Sequence, residues 1–223
     1  MLKTHDRFVN NELLKFISRP QYENSCSITS LTAVFNYLFA EKIGIKTSNE
    51  LAVIAANKPA KDVTGAGNKT VMEWFNKLCI HYGVNGNCSY YLRRKEVEDW
   101  DNNPNLISKL KKDIKSNDIA LIYHLKNHYN VVVGYFEHSE NPDDAYDDEA
   151  SLQRWIILGE HSDYNPISKI TQRALKAILP EDKYNLIMES VGRTPIWSRR
   201  WKSIRHDLMK TPIHCVMVFN RES

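Results

Sequence analysis

Four short runs rich in β-branched and aromatic residues, at Ile119–Tyr123, Tyr129–Phe136, Trp155–Leu158 and Cys215–Phe219, occupy the second half of a chain whose first half is spaced like helices. Runs of this length and composition are strands, because branched and aromatic side chains suit a pleated surface and lose rotamer freedom in a helix. Helices come first and strands later. That order excludes an alternating βαβ architecture and predicts an α+β class.

The helical half, about residues 1–117, divides at its own stop signals. Phe8, Val9, Leu13, Leu14, Phe16 and Ile17 fit one short helix ended by Arg19-Pro20. From Cys26 to Ile43, apolar residues at Ile28, Leu31, Val34, Phe35, Leu38 and Phe39 make one broad face, closed by Gly44. Thr47 with Glu50, and Thr70 with Glu73, carry the capping-box spacing that opens two more helices, the second ending at Gly83. A further helix is expected over Leu106–Ile114, before the turn Ser116-Asn117-Asp118. The strand half, about 118–223, carries two helical insertions at 167–179 and 197–209, and the whole chain reads as one domain.

Gln21-Tyr22-Glu23-Asn24-Ser25-Cys26 sets a thiol at a helix N-terminus, where the dipole and the first amides favour a thiolate. An imidazole could steady that thiolate and protonate a leaving group, and His128, at the start of a strand, is the candidate. Glu160, just past the strand Trp155–Leu158, is placed to orient the ring, with Asp163 as substitute. The Gln21 amide and the Cys26 backbone N–H could form an oxyanion hole. A free cysteine at a helix start is, taken alone, more often a small buried hydrophobe. His124, four residues before His128, is a supporting residue. Cys79 and Cys88 lack the spacing of a zinc site, and Cys215 reads as core packing.

Gln21, Ser25-Cys26 and the following helix, with Asp118-Ile119-Ala120-Leu121-Ile122 leading into His128-Tyr129-Asn130-Val131-Val132-Val133-Gly134-Tyr135, resemble papain-like cysteine peptidases of the C39 type, which process bacteriocin leaders and double-glycine sequences. The resemblance spans roughly residues 19–163. It implies a papain-like fold, with the Cys helix packed on a C-terminal antiparallel sheet that carries the His. It also implies a soluble thiol hydrolase cutting a peptide or isopeptide bond through a Cys26, His128 and acid triad, with acyl transfer or transamidation open to the same residues. Ser27 stands where many such peptidases have Gly. The alternative is therefore a catalytically inactive module of the same scaffold.

That alternative has its own residues. Arg193, Arg199, Arg200, Lys202, Arg205 and Lys210 interleave with Trp197 and Trp201, a mixture suited to nucleic acid, acidic lipid or an acidic protein. The spacing of Trp197, Trp201, Ile204 and Leu208 equally suits an ordinary amphipathic helix. The acidic stretch Glu137–Glu149 reads as a solvated hairpin loop and lacks a calcium-hand pattern. The net charge of +3, from 30 basic and 27 acidic residues, is too mild to impose a nucleic-acid role on the chain as a whole. No apolar run approaches the roughly 20 residues of a membrane helix, and the charged start lacks a secretory pattern. These features predict a cytoplasmic protein with no membrane span, whose partner is a peptide or protein substrate, or an acidic partner or polyanion at Arg199, Arg200, Lys202 and Arg205. No cofactor and no metal is called for.

Overall fold

The computed structural model describes residues 6–17, 21–22, 24–97, 104–125, 128–141, 143, 152–159 and 196–222. The strands are β1 (Arg7–Val9), β2 (Gly86–Leu92), β3 (Ile119–Leu125), β4 (His128–Ser139), β5 (Leu152–Gly159), β6 (Ile196–Arg200) and β7 (Cys215–Arg221). The helices are α1 (Asn11–Ile17), α2 (Cys26–Ile43), α3 (Ser48–Ala56), α4 (Asn68–Tyr82), α5 (Arg94–Val97), α6 (Pro104–Lys115) and α7 (Trp201–Lys210). Among the described residues the strands form one sheet in the order β2-β7-β3-β4-β5-β6, every pair antiparallel. The α+β class and the antiparallel sheet are as expected.

Two cores lie on opposite faces of that sheet, because successive side chains of a strand point to opposite sides. Ala120, Ile122, Tyr129, Val131, Val133, Cys215, Met217 and Phe219 meet α1 to α4 in the first core. Leu121, Tyr123, Leu125, Val132, Val216 and Val218 meet α5 to α7 in the second. Burial on both faces is why these strands read as continuous apolar runs instead of alternating ones. Helices thus cover both sides of the sheet. The first core is the larger, with Phe35, Phe75 and Phe219 fully buried and meeting in near-perpendicular ring contacts. Each such buried side chain contributes about 1.5–3 kcal/mol of transfer free energy.

Strands also enter the half expected to be helical. Phe8 and Val9 belong to β1, and α1 starts only at Asn11, whose predecessor Asn10 accepts from the Leu13 amide through its Oδ1 at 3.0 Å. β1 lies along the part of β4 that β3 leaves unpaired, with Arg7 opposite Phe136 and Val9 opposite Gly134. A Cβ on Gly134 would stand 2.3 Å from the Phe8 carbonyl oxygen, so only glycine admits this strand. Tyr135 Oη donates to Asp6 Oδ2 at 2.9 Å, and Lys111 Nζ bridges Asp6 and the buried Glu137, at 3.2 and 2.7 Å.

The Thr47–Glu50 capping box is present in both directions, and Gly83 ends α4 in the left-handed conformation. Thr70 instead lies inside α4, which begins at Asn68 after Gly67 with no side-chain cap. The helix expected over 197–209 is a strand followed by a helix, β6 then α7. The insertion expected over 167–179 lies outside the described residues.

Candidate functional site

The segment before α2 folds as a tight turn. Asn24 is left-handed at φ 64°, the Ser25 amide donates to the Tyr22 carbonyl at 3.0 Å, and the Ser25 hydroxyl donates to the same oxygen at 2.8 Å. Ser25, the residue that caps α2, therefore spends its side chain on the turn and makes no side-chain bond to the helix amides. Cys26 is the first residue of the 18-residue α2 and is 8% exposed, within the first core. Gln21 is buried at 4% exposure. Ser27, where a glycine was the comparison, is fully enclosed at 1%.

His128 opens β4 opposite Leu125, and Leu125 belongs to the second core. Backbone alternation thus starts His128 on the face of Asn130 and Val132, away from the face that α2 covers. The groups on the near face are different ones. His124 pairs with Cys215 on one side and Tyr129 on the other, so Cys215, His124 and Tyr129 form a row across β7, β3 and β4. The rings of His124 and Tyr129 stack at 4.2 Å with planes 4° apart. Tyr129 Oη donates to the Ala66 carbonyl at 2.8 Å and to Asn68 Oδ1 at 3.1 Å, and Ser30 on α2 donates to the Tyr129 carbonyl at 3.0 Å. Burial pushes the Tyr129 phenol up, and the Cys215 and Cys26 thiols beside it push it further. Burial also lowers the His124 pKa to about 4, partly offset by the 3.0 Å contact of Nδ1 with the Ile213 carbonyl and deepened by His214 and His128.

The sequence assigned His124 a supporting role and Cys215 to packing. The signal for their meeting was the alternation of Ala120, Ile122 and His124, but it needs the β7 register before it becomes a contact. Glu160 and Asp163 lie outside the described residues. Burial pushes the Cys215 and Cys79 thiols up to about 12 and the Cys88 thiol up to about 11, so none of these three is a ready nucleophile. Among the described residues no group of three or more His, Cys, Asp or Glu is placed to hold a metal ion. No described helix is long and apolar enough to cross a membrane.

The basic segment divides by face. Arg199 Nε donates to Asp207 Oδ2 at 2.9 Å, and Asp207 is 5% exposed and also accepts from Tyr123 Oη at 3.1 Å. Arg199 is thus tied to a buried carboxylate, with its side chain partly exposed. Arg200 and Lys202 face Glu140 at 3.3 and 3.8 Å. Arg205 is half-buried on α7, whereas Lys202, His206 and Lys210 are exposed. Trp201, Ile204 and Leu208 point into the core as the helical spacing requires, while Trp197 sits on β6.

A family model described as basic immunoglobulin-like variable motif-containing protein matches residues 5–222. The chain belongs to that family. The mouse member is 32% identical over 165 residues, which is 67% of this chain and 33% of the mouse protein. The human member is 30% identical over the same length, and a Giardia intestinalis member is 30% identical over 133 residues, 56% of this chain and 48% of that protein. The chain therefore spans about a third of the length of the vertebrate relatives it matches. No solved structure matches. These findings overturn the resemblance to C39-type papain-like peptidases: the model that spans the chain is another family's, and its members carry no peptidase name. The descriptions hydrolase, cysteine protease and thiol protease fall with it. A small thiol at a helix start and an apolar strand after a histidine are features that core packing also produces, so they do not single out one family. The family's name speaks of an immunoglobulin-like variable motif. The described strands here form one sheet between helices and not two sheets face to face.

Proposed function

We propose that the chain is a non-catalytic binding module that holds an acidic partner on the face made by α5 and α7. The observation that carries this reading is a separation of charge. α5 packs against α7, and on that layer Arg94, Lys95, Lys202 and Lys210 are exposed, with Arg205 half-buried between them. Of the acids whose side chains are described on that layer, Asp207 is turned inward to Arg199 and Asp113 to Lys109. An outer face of cations over an inner set of neutralised carboxylates attracts polyanions, with an affinity that falls steeply as salt displaces it. Of the four residues singled out in the sequence, Lys202 and Arg205 are the ones to test. Arg199 holds Asp207, and its loss would disturb the fold. Retention on heparin at low salt is expected, with salt-dependent elution and its loss in Lys202→Glu with Arg205→Glu. Passage of the unaltered chain through the column at low salt sinks the reading.

One observation favours a second reading, acyl transfer at Cys26: the thiol is the first residue of α2, and Ser25 leaves the helix amides without a side-chain cap. An acyl-directed electrophile should then modify Cys26 faster than Cys79, Cys88 and Cys215. Equal rates at all four end it.

A further inference from the structure

One part of the sheet belongs to neither core. Beyond the bulge between Val132 and Gly134, Phe136 pairs with Trp155, Trp155 with Arg200, and Phe136 on its other side with Arg7. The flanking residues fix the face. Tyr135 and Ile156 lie in the second core, and Arg199 reaches Asp207 there, so Arg7, Phe136, Trp155 and Arg200 share the opposite face. That row crosses four strands, an arginine at each end and two aromatic rings between. Phe136 and Trp155 are half-exposed, and neither packs into the core that α1 to α4 build on this side.

The rings are held in a fixed attitude. Phe136 and Trp155 lie 5.7 Å apart with planes 5° from parallel, and the Trp155 indole N–H donates to His138 Nε2 at 3.0 Å. A ring nitrogen accepts in its own plane and an indole N–H points along its own plane. This bond therefore joins Trp155 and His138 edge to edge, with planes 23° apart. The charges are arranged to match. Arg7 is exposed and makes no ion pair among the described residues. Among the described acids beside the row, Glu137 lies on the other face between Lys111 and Arg154, and Glu140 meets Arg200 and Lys202.

We propose that this row is a stacking surface for single-stranded nucleic acid, its bases on Phe136 and Trp155 and its phosphates on Arg7 and Arg200. Stacking on aromatic side chains tolerates any base, and arginines flanking the rings supply the electrostatic track. A duplex hides its base faces, so it is the discriminating competitor. The proposal goes beyond the acidic-partner reading, since the row lies on the face of the sheet opposite α5 and α7 and stands or falls without them.

The test uses the whole chain and a fluorescein-labelled oligouridine of about twelve nucleotides, followed by anisotropy, since single-strand sites span about 4–16 nucleotides. The expected result is tighter binding to the oligouridine than to a duplex of equal length, with Phe136→Leu and Trp155→Ala each weakening it about 5-fold or more. Leucine keeps the apolar volume of a half-exposed site, so Phe136→Leu separates the ring from the fold. Arg7→Ala should lower the salt slope by about 0.7, one single-strand phosphate contact. Binding that is unchanged in Phe136→Leu and Trp155→Ala but lost in Lys202→Glu with Arg205→Glu overturns the stacking surface and leaves the α5–α7 reading intact. Oligouridine binding lost in Phe136→Leu but kept in the Lys202 and Arg205 double variant supports the row and removes the α5–α7 face. Binding only to an acidic peptide or to anionic vesicles overturns the choice of nucleic acid.

Discussion

His124 makes the stability of this chain depend on acid in a calculable way. The ring is 5% exposed, stacked on Tyr129, and burial holds its pKa near 4, against 6.5 for an unhindered histidine. As pH falls through about 6.5 the unfolded chain takes up a proton on this residue, while the folded chain resists until about 4. Below neutrality the unfolded state therefore binds more protons. Stability supplied by the neutral ring is present above about 6.5 and drains away as pH falls toward 4. Between about pH 7 and pH 5 the loss from this one group comes to about 2 kcal/mol, or roughly 1 M in urea midpoint for an m-value of about 2 kcal/mol/M. Urea unfolding of the parent and of His124→Phe at the two pH values isolates it, because every other titrating group is common to both. Phenylalanine keeps the stack on Tyr129. It gives up the contact to the Ile213 carbonyl, but that oxygen still accepts from Asn68 Nδ2 at 2.8 Å, so the variant should lose only about 1 kcal/mol at neutral pH. Its midpoint should then move far less than the parent's on acidification. Equal acid losses in the two proteins would refute the reasoning.

Three other outcomes follow from the geometry. Arg199→Ala leaves the Asp207 carboxylate buried with Tyr123 as its remaining side-chain partner, and should cost about 3–5 kcal/mol in chemical unfolding, with much of it recovered when Asp207→Asn is added. Gly134→Ala drives a methyl group against the Phe8 carbonyl and should destabilise by about 1–3 kcal/mol, with faster hydrogen exchange at the Asn10 and Glu137 amides that bond across to the β4 and β1 segments. The raised pKa values of Cys79, Cys88 and Cys215 predict slow alkylation of all three by iodoacetamide at pH about 8, read by peptide mass spectrometry, and rapid alkylation in denaturant. Fast native labelling of Cys79 or Cys215 would contradict their burial.

What the sequence disclosed was whatever the chain states locally. α2 begins and ends where its apolar face and Gly44 place it, and the Thr47–Glu50 pair signals its own helix because both partners of the box lie within one turn. β3, β4, β5 and β7 announce themselves by composition. β2 does not: Gly-Asn-Cys-Ser-Tyr-Tyr-Leu is polar in part, and its strand character comes from β7, more than a hundred residues away. The boundary between β6 and α7 was hidden because Trp197 happens to fall in helical step with Trp201, Ile204 and Leu208, although it belongs to a strand. The surroundings of Cys26 were hidden for the same reason as β2. Which histidine shares a face with Cys26 is decided by registers across three strands, and a single sequence carries no register. The row from Arg7 to Arg200 draws its four residues from four strands, so nothing in the linear order groups them.

The position of β7 governs how this chain can be made. It is the seam between β2 and β3, bonded to both, yet it follows both in sequence, after every other described strand. During synthesis β2 and β3 emerge with the slot between them open, and their facing edges wait on residues 215–221 before backbone amides on either side find partners. Chaperone occupancy on the nascent chain should therefore persist until that segment clears the ribosome, and a stop codon shortly before Cys215 should yield an insoluble product, not a smaller version of the same sheet.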